Sequence, residues 1–376
     1  MDFKCLLILS LLSTSLADPP EEQSSNTPAS AKAREYEFIY SENPLQQKHL
    51  VHKLFPQLDR TSLKESVDTL SSSENRAKTP NDDGASILED SIRKLLAKYE
   101  GGSVFFNKIE SSSSPKSYLT PNLIASFEGK DLLVKNERVI LSTHYDRVPV
   151  SRGADDNYSG CAVHLEVLRL IAKFSLKFKH TVELHFYAGN RAGLKGSADV
   201  ARKYQEDKIR IKGLLNLDSV GNYASKYGRV LGLVLRLEID GKKVESPPSF
   251  EAFVKKLVKE YSKEPAVELE CNNRGCNSDH LSWHERDFPW AFITEVEASP
   301  NIDTEKDIVD EVDFEQVVEF AKVALAFVIE AGELAEVPEI EHHSSSAVGF
   351  LKPELGWIWS GLACLAAVTA GLLNYP

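Results

Sequence analysis

Five polar side chains invite a chemical reading because each lies just beyond an apolar run or opens the helix that follows one. They are His144 in Ser142-Thr143-His144-Tyr145-Asp146, Asp156 in Gly153-Ala154-Asp155-Asp156-Asn157-Tyr158-Ser159-Gly160, Asn190 and Arg191 in Tyr187-Ala188-Gly189-Asn190-Arg191, and Asp218 in Leu215-Asn216-Leu217-Asp218. Imidazole, carboxylate, amide and guanidinium together handle protons and bind charged or hydrogen-bonding groups. Singly, each has an ordinary reading. Asp155 or Asp156 can cap the helix that begins near Tyr158, His144 can be a loop histidine, and Asp218 can be a turn residue before Gly221. Their joint occurrence in chain order, each after a strand, favours a site.

The elements that must hold them alternate. Val139-Ile140-Leu141 reads as a buried strand, Gly160 to Phe174 as a helix with Val163, Val167, Leu168, Leu170 and Ile171 inward, and Thr181 to Tyr187 as a strand. Helix is expected over Leu194–Tyr204, Pro248–Tyr261 and Phe314–Ala331, and strand over Leu214–Leu217, Val230–Leu235 and Trp290–Val296. An earlier helix is expected over Ser86–Tyr99, and the serine run Ser111–Ser114 reads as a loop. No internal repeat appears. This order predicts an α/β fold, a mostly parallel central sheet flanked by helices on both faces, whose ligand-binding residues collect at the carboxyl ends of strands.

The 376 residues, 42% hydrophobic and 27% charged, suffice for one large core with appendages. A net charge of -12 argues against nucleic acid or an anionic membrane surface as the main partner. Residues 1–17 read as a signal peptide: Lys4, then the apolar stretch Cys5–Leu12, then small residues at Ser15 and Ala17. Residues 18–60, rich in Glu, Ser, Gln and Pro, read as a solvated, propeptide-like segment outside the core. The α/β domain is expected over 61–334. A linker, 335–354, carries the small residues Ser344-Ser345-Ser346-Ala347, and 355–376 is an uncharged hydrophobic tail. Small residues, spacer and terminal apolar tail have the order of a glycosylphosphatidylinositol attachment signal; a spanning helix and a packed core helix are the alternatives. The expected location is secreted or cell surface, held at the membrane by the C-terminus through a lipid anchor or a helix.

In an oxidising compartment Cys271 and Cys276, which close a tiny loop, are expected to form a disulfide. Cys161, on the apolar face of its helix, reads as a small buried hydrophobe. Asn157-Tyr158-Ser159 is a formal glycosylation sequon in the site loop, and the same asparagine can instead cap the helix.

From about Leu58 to Leu334 the chain resembles the secreted bacterial and fungal leucine aminopeptidases, a family of co-catalytic zinc exopeptidases related to glutaminyl cyclases and glutamate carboxypeptidases. The words that carry the likeness are His144-Tyr145-Asp146, Gly153-Ala154-Asp155-Asp156, Gly193-Leu194-Lys195-Gly196-Ser197, Leu217-Asp218, and the paired cysteines with Ser278-Asp279-His280. The resemblance implies two neighbouring zinc ions bridged at Asp156. One ion would add His144 and Asp218, with Asp146 orienting the histidine. The other would take a glutamate and a late histidine; here those positions read Arg191 and Asp303. The family's general base falls on Asn190.

An amide cannot take a proton from water, and general-base work commonly supplies about 10²–10⁴ in rate. A guanidinium cannot ligate zinc and repels a dication. At most one zinc is therefore expected, and possibly none. The two ligand changes also suit each other, since Arg191 can bridge Asp156 and Asp303 with its planar fork; the alternative is independent drift with Arg191 turned to solvent. His280 and His284 are set aside as rescue ligands, His280 because it matches a structural family position. Two functions stay open: an inactive or strongly impaired aminopeptidase relative that binds peptides or protein N-termini, and an active aminopeptidase working through one zinc.

Overall fold

The computed structural model describes residues 40, 45–72, 84–101, 104–109, 120–223, 226–239, 241–269, 271–272 and 276–338. The signal segment 1–17, the serine run 111–114, the attachment sequence at Ser344–Ala347 and the tail 355–376 lie outside the described residues. No helix among the described residues is long and apolar enough to cross a membrane.

In chain order the strands are β1 (Val104–Ile109), β2 (Asn122–Phe127), β3 (Glu137–His144), β4 (Thr181–Tyr187), β5 (Arg210–Leu217), β6 (Leu231–Val234), β7 (Arg236–Ile239), β8 (Lys242–Glu245), β9 (Ala266–Glu268), β10 (Cys271–Asn272) and β11 (Trp290–Glu295). The α-helices are α1 (Lys48–Leu54), α2 (Arg60–Ser71), α3 (Ala85–Leu96), α4 (Tyr158–Lys173), α5 (Lys195–Glu206), α6 (Pro248–Tyr261), α7 (His280–His284) and α8 (Phe314–Gly332). Eight strands form one sheet in the order β1-β2-β4-β3-β5-β11-β6-β9, and β10-β7-β8 form a small second sheet.

The centre of the large sheet, β4-β3-β5-β11, is parallel. The flanking pairs β1–β2, β2–β4 and β11–β6 are antiparallel, so the expected mostly parallel sheet has antiparallel margins. Helices α4 and α8 lie against one face of β3, while α5 and α7 close the other with Val200, Tyr204 and Trp283 against Ile140, Ile211 and Trp290. β2 and β4 are buried at every position, and the alternation of β4 is kept on the covered face because Glu183 is met there by Ser126, His185 and Tyr204. Helix α8 begins where Asp313 accepts from the backbone of Glu315 and Gln316. Phe320 and Phe327, on its buried length, are inaccessible to solvent.

The amino-terminal boundary needs correction. Tyr40, Leu50, Val51 and Leu54 are buried, and Tyr40 sits between the rings of Phe250 and Phe253, so core residues begin before residue 61. The cause is local. A short amphipathic turn such as Leu50-Val51-x-x-Leu54 is hard to see inside a Glu/Gln-rich stretch, and its burial depends on a distant helix.

At the end of the sheet away from the His144 terminus, a charged latch closes the domain. Lys212 Nζ, buried, lies 2.8 Å from Glu333 Oε1 and 2.8 Å from His180 Nε2, and His180 Nδ1 lies 3.3 Å from Glu137. The His180 hydrogen bonds, then the neighbouring cations, hold both Glu137 and Glu333 below the usual carboxylate range. A depressed carboxylate pKa contributes stability that is present above the unfolded value of about 4.3 and is lost as pH falls through the folded value. Stability should therefore decline steadily below about pH 4, and Glu333→Gln should flatten that acid limb in denaturant titrations at stepped pH. Parallel limbs for parent and variant would remove the latch from the account.

Candidate active site

The site sits where β3, β4 and β5 end. His144 closes β3, Asn190 and Arg191 follow β4, and Asp218 follows β5; Asp156 is delivered by the loop that enters α4. The local sequence explains the delivery. Asn157 caps α4 by accepting from Gly160 N, donates its amide to Thr143 Oγ1 and Leu217 O, and accepts from Ser219 N, so one side chain ties this loop to the ends of β3 and β5. Glycine is required at 160, because a Cβ there would come within 2.5 Å of Asn157 Oδ1.

Those contacts overturn the glycosylation reading of Asn157. The side chain is 0% exposed and its nitrogen is already bonded, so no glycan can be attached in the folded protein. They also settle the capping question: Asn157 is the cap, not Asp155 or Asp156. Asp155 instead accepts from Gly221 N at 2.8 Å.

Three of the sequence-predicted residues converge. His144, Asp156 and Asp218 each offer one ligand atom, all within 4.8 Å of one another. His144 Nε2 lies 3.2 Å from Asp218 Oδ1 and 3.4 Å from Asp156 Oδ1, while Nδ1 lies 3.0 Å from the carbonyl of Asp146. A carbonyl only accepts, so Nδ1 carries the hydrogen and Nε2 faces the two carboxylates. Burial opposes charge on this ring, but Asp218 and Asp146 outweigh it and hold the His144 pKa well above its ordinary value. Asp156 Oδ1 is buried without a hydrogen-bond partner among the described residues. An orphaned carboxylate oxygen aimed at an imidazole and a second carboxylate suits one divalent cation.

The neighbouring position is filled differently. Arg191 Nη2 contacts Asp156 Oδ2 directly and lies 3.2 Å from Asp303 Oδ1, so the guanidinium stands between the two carboxylates. Arg191 is 30% exposed and Asp303 49%, which makes this a rim pair on one side and a buried one on the other. A second cation does not fit beside the guanidinium. Asn190 Nδ2 donates to Asp279 Oδ2 at 2.9 Å. Burial pushes the Asp279 carboxyl up to about 6.

The supports go beyond the orienting role expected of Asp146. Asp146 orients His144 through its backbone carbonyl, while its carboxylate accepts the backbone N–H groups of Asn190 and Arg191 at 3.0 and 2.9 Å. Ser278 Oγ donates to Asp218 Oδ2 at 2.6 Å and accepts from Asn216, which in turn accepts from Ser142. Asp307 accepts from the backbone of Asp155 and Asp156, joining the Asp303 loop to the Asp156 loop. Asp146 and Ser278 lie in motifs already singled out, whereas for Asp307 the available signal was its position four residues after Asp303. His280 is not in the group whose ligand atoms converge; its ring is stacked on Phe292 and tilted against Trp290, with centroids 4.8 Å from each. Cys276 is disulfide-bonded, Cys161 is free and buried, and the Cys271 side chain lies outside the described residues.

Because its carboxylate pins two consecutive amides, Asp146→Ala should free the 189–192 turn and loosen His144 together. Outer contacts of this kind are typically worth 10–100-fold in metal affinity. Zinc titration of the variant should show that loss, with faster amide exchange at 190 and 191; unchanged affinity and exchange would argue against the support role.

The parallel centre of the sheet thus carries, at its carboxyl edge, a His-Asp-Asp group that could hold a metal ion. The profile of peptidase family M28 matches residues 122–328, and the chain belongs to that family. It is 30% identical over 305 residues to a probable leucine aminopeptidase of Arthroderma otae, covering 77% of each chain, and 29% identical to one of Trichophyton verrucosum, covering 75% and 76%. The fold is similar to that of the Legionella pneumophila LapA aminopeptidase, with a TM-score of 0.67, 25% identity and coverage of 78% and 77%. Membership of the family implies zinc, and the described residues contain one group able to hold it.

Proposed function

We infer that this chain is an aminopeptidase-family domain in which hydrolysis is lost or strongly impaired and the binding of peptides or protein N-termini is what remains. The observation that carries this reading is the Arg191 guanidinium between Asp156 and Asp303, where the family's second ion would stand. Bound at His144, Asp156 and Asp218, a single zinc would supply Lewis-acid polarisation of a carbonyl. The chain's own groups do the rest or fail to. Asn190 can donate or accept a hydrogen bond but cannot accept a proton at neutral pH, and Asp279 uses one oxygen to hold the Asn190 amide. The remaining carboxylates favour the ammonium group of a peptide N-terminus. The peptide as ligand is supported by the aminopeptidase relatives.

The intact triad favours a second reading, an active aminopeptidase with one zinc. Zinc stoichiometry on protein purified without chelator, run beside leucine-anilide hydrolysis, separates the two. One zinc or none with negligible turnover is expected; ready turnover with one zinc would establish the second reading, and two zincs would sink both.

The location is part of the same proposal: secretion through residues 1–17, a Cys271–Cys276 disulfide, and retention at the cell surface by residues 355–376. Release of the surface protein by a phosphatidylinositol-specific phospholipase is expected for a lipid anchor, and continued retention would assign a spanning helix.

A further inference from the structure

At the end of the sheet opposite the site, the connection from β2 to β3 ends in two leucines that touch almost nothing. Leu132 is 79% exposed and Leu133 90%. Single exposed leucines are ordinary, but two in succession at the tip of an ordered turn are not. The turn is fixed: Val134 N and Lys135 N donate to Asp131 O, and Leu133 N donates to Asp131 Oδ1 at 2.9 Å. Below it, Lys130 N donates to Phe178 O and Asp131 N to Lys179 O, so the tip is braced against the segment that leads into β4.

The same segment receives the end of the described chain. Phe178 and Leu334 form an isolated antiparallel bridge, Ala335 N donates to Lys177 O at 2.8 Å, and Lys177 pairs with Glu336. Val337, just beyond, is 81% exposed. The leucine tip and the point where the chain continues toward residues 339–376 therefore share one end of the sheet. That continuation contains the uncharged stretch Leu355–Pro376. Near the tip Lys135 pairs with Glu128, Lys177 with Glu336 and Lys179 with Glu333, and the exposed Lys130 is followed by Asp131, so the described residues of this rim make no strongly basic patch for anionic headgroups.

We propose that Leu132 and Leu133 form an interfacial contact with a zwitterionic phospholipid bilayer, seating the domain with its strand-start end on the membrane. The candidate site, at the far ends of β3, β4 and β5, then faces away from the lipid. Two apolar side chains on a rigid turn enter the headgroup boundary, and the paired lysines keep their ammonium groups in water while their stems lie along the surface. The inference rests on the surface of the domain and is independent of whether the site turns over peptides.

The test uses the full chain with phosphatidylcholine vesicles, followed by amide hydrogen exchange and co-sedimentation. Exchange across 130–136 is expected to slow severalfold on vesicle binding, while the 189–192 turn at the site keeps its solution rate. The double variant Leu132→Glu with Leu133→Glu should lose that protection and keep its melting temperature, since neither side chain is buried. Should the chain sediment with vesicles while 130–136 exchanges as in solution, the tail binds and the docking proposal fails. Protection that survives the double variant, protection that requires phosphatidylserine, or failure of the chain to bind vesicles at all would each overturn it as well.

Discussion

Replacing Asn190, Arg191 and Asp303 together by Glu, Glu and His should bring leucine-anilide hydrolysis up by about 10²–10⁴, the range that a restored general base commonly supplies. Asn190→Glu alone should not. A carboxylate at 190 would face Asp279, which already sits buried with a carboxyl pushed up to about 6, and the pair would have to share a proton. The single variant would also still hold a guanidinium against Asp156, so the new base would work without a second Lewis acid beside it. Steady-state rates of the single and triple variants, each with measured zinc content, check the expectation. Robust turnover from the single change would mean that the missing base, and not the missing metal position, is the defect.

Arg191→Ala should lower stability by roughly 3 kcal/mol, the lower end of what removing one partner of a buried ion pair does. The lower end applies because Arg191 is partly open to solvent and Asp303 is half-exposed, which screens part of the interaction. Asp156 has no such relief. It is buried, its Oδ1 has no hydrogen-bond partner among the described residues, and its Oδ2 would lose the guanidinium. Added zinc should recover part of the loss in the variant, because the vacated space admits a cation between two carboxylates, and should add little at that position in the parent. Equal denaturation midpoints and equal zinc responses for the two proteins would reduce Arg191 to a solvent-facing side chain.

How much of this was legible in the sequence depends on how local each signal is. The central strands and the long helices were, because Val139-Ile140-Leu141 and the apolar spacing of α4 are set by burial on both faces of one sheet. The site was legible because His144 and Asp218 stand at strand ends and Asp156 just before α4, while the grouping of the three into one triad came from the family likeness. Tyr40 and α1 were not, since their burial comes from α6 and α8 respectively, two hundred residues or more away. Of the two readings of Asn157 the cap holds and the sequon fails for a similar reason: the sequon is a three-residue pattern, whereas the burial of the side chain is decided by Thr143, Leu217 and Ser219. The likeness placed Asp146 beside His144 without saying through which atoms, since residue spacing does not tell a carbonyl contact from a carboxylate one.

The clasp from Asp307 to the backbone of Asp155 and Asp156 makes the two reversals unequal. Because that clasp keeps the 303 loop against the 156 loop, residues 191, 156 and 303 share one small space. A glutamate at 191 would leave three carboxylates there, a set that ligates a divalent metal. A histidine at 303 would leave the guanidinium on Asp156, a permanent cation where the ion would stand. Arg191→Glu by itself should therefore admit a second zinc in a titration, and Asp303→His by itself should not; the opposite pattern would mean that the residue at 303, and not Arg191, closes the position.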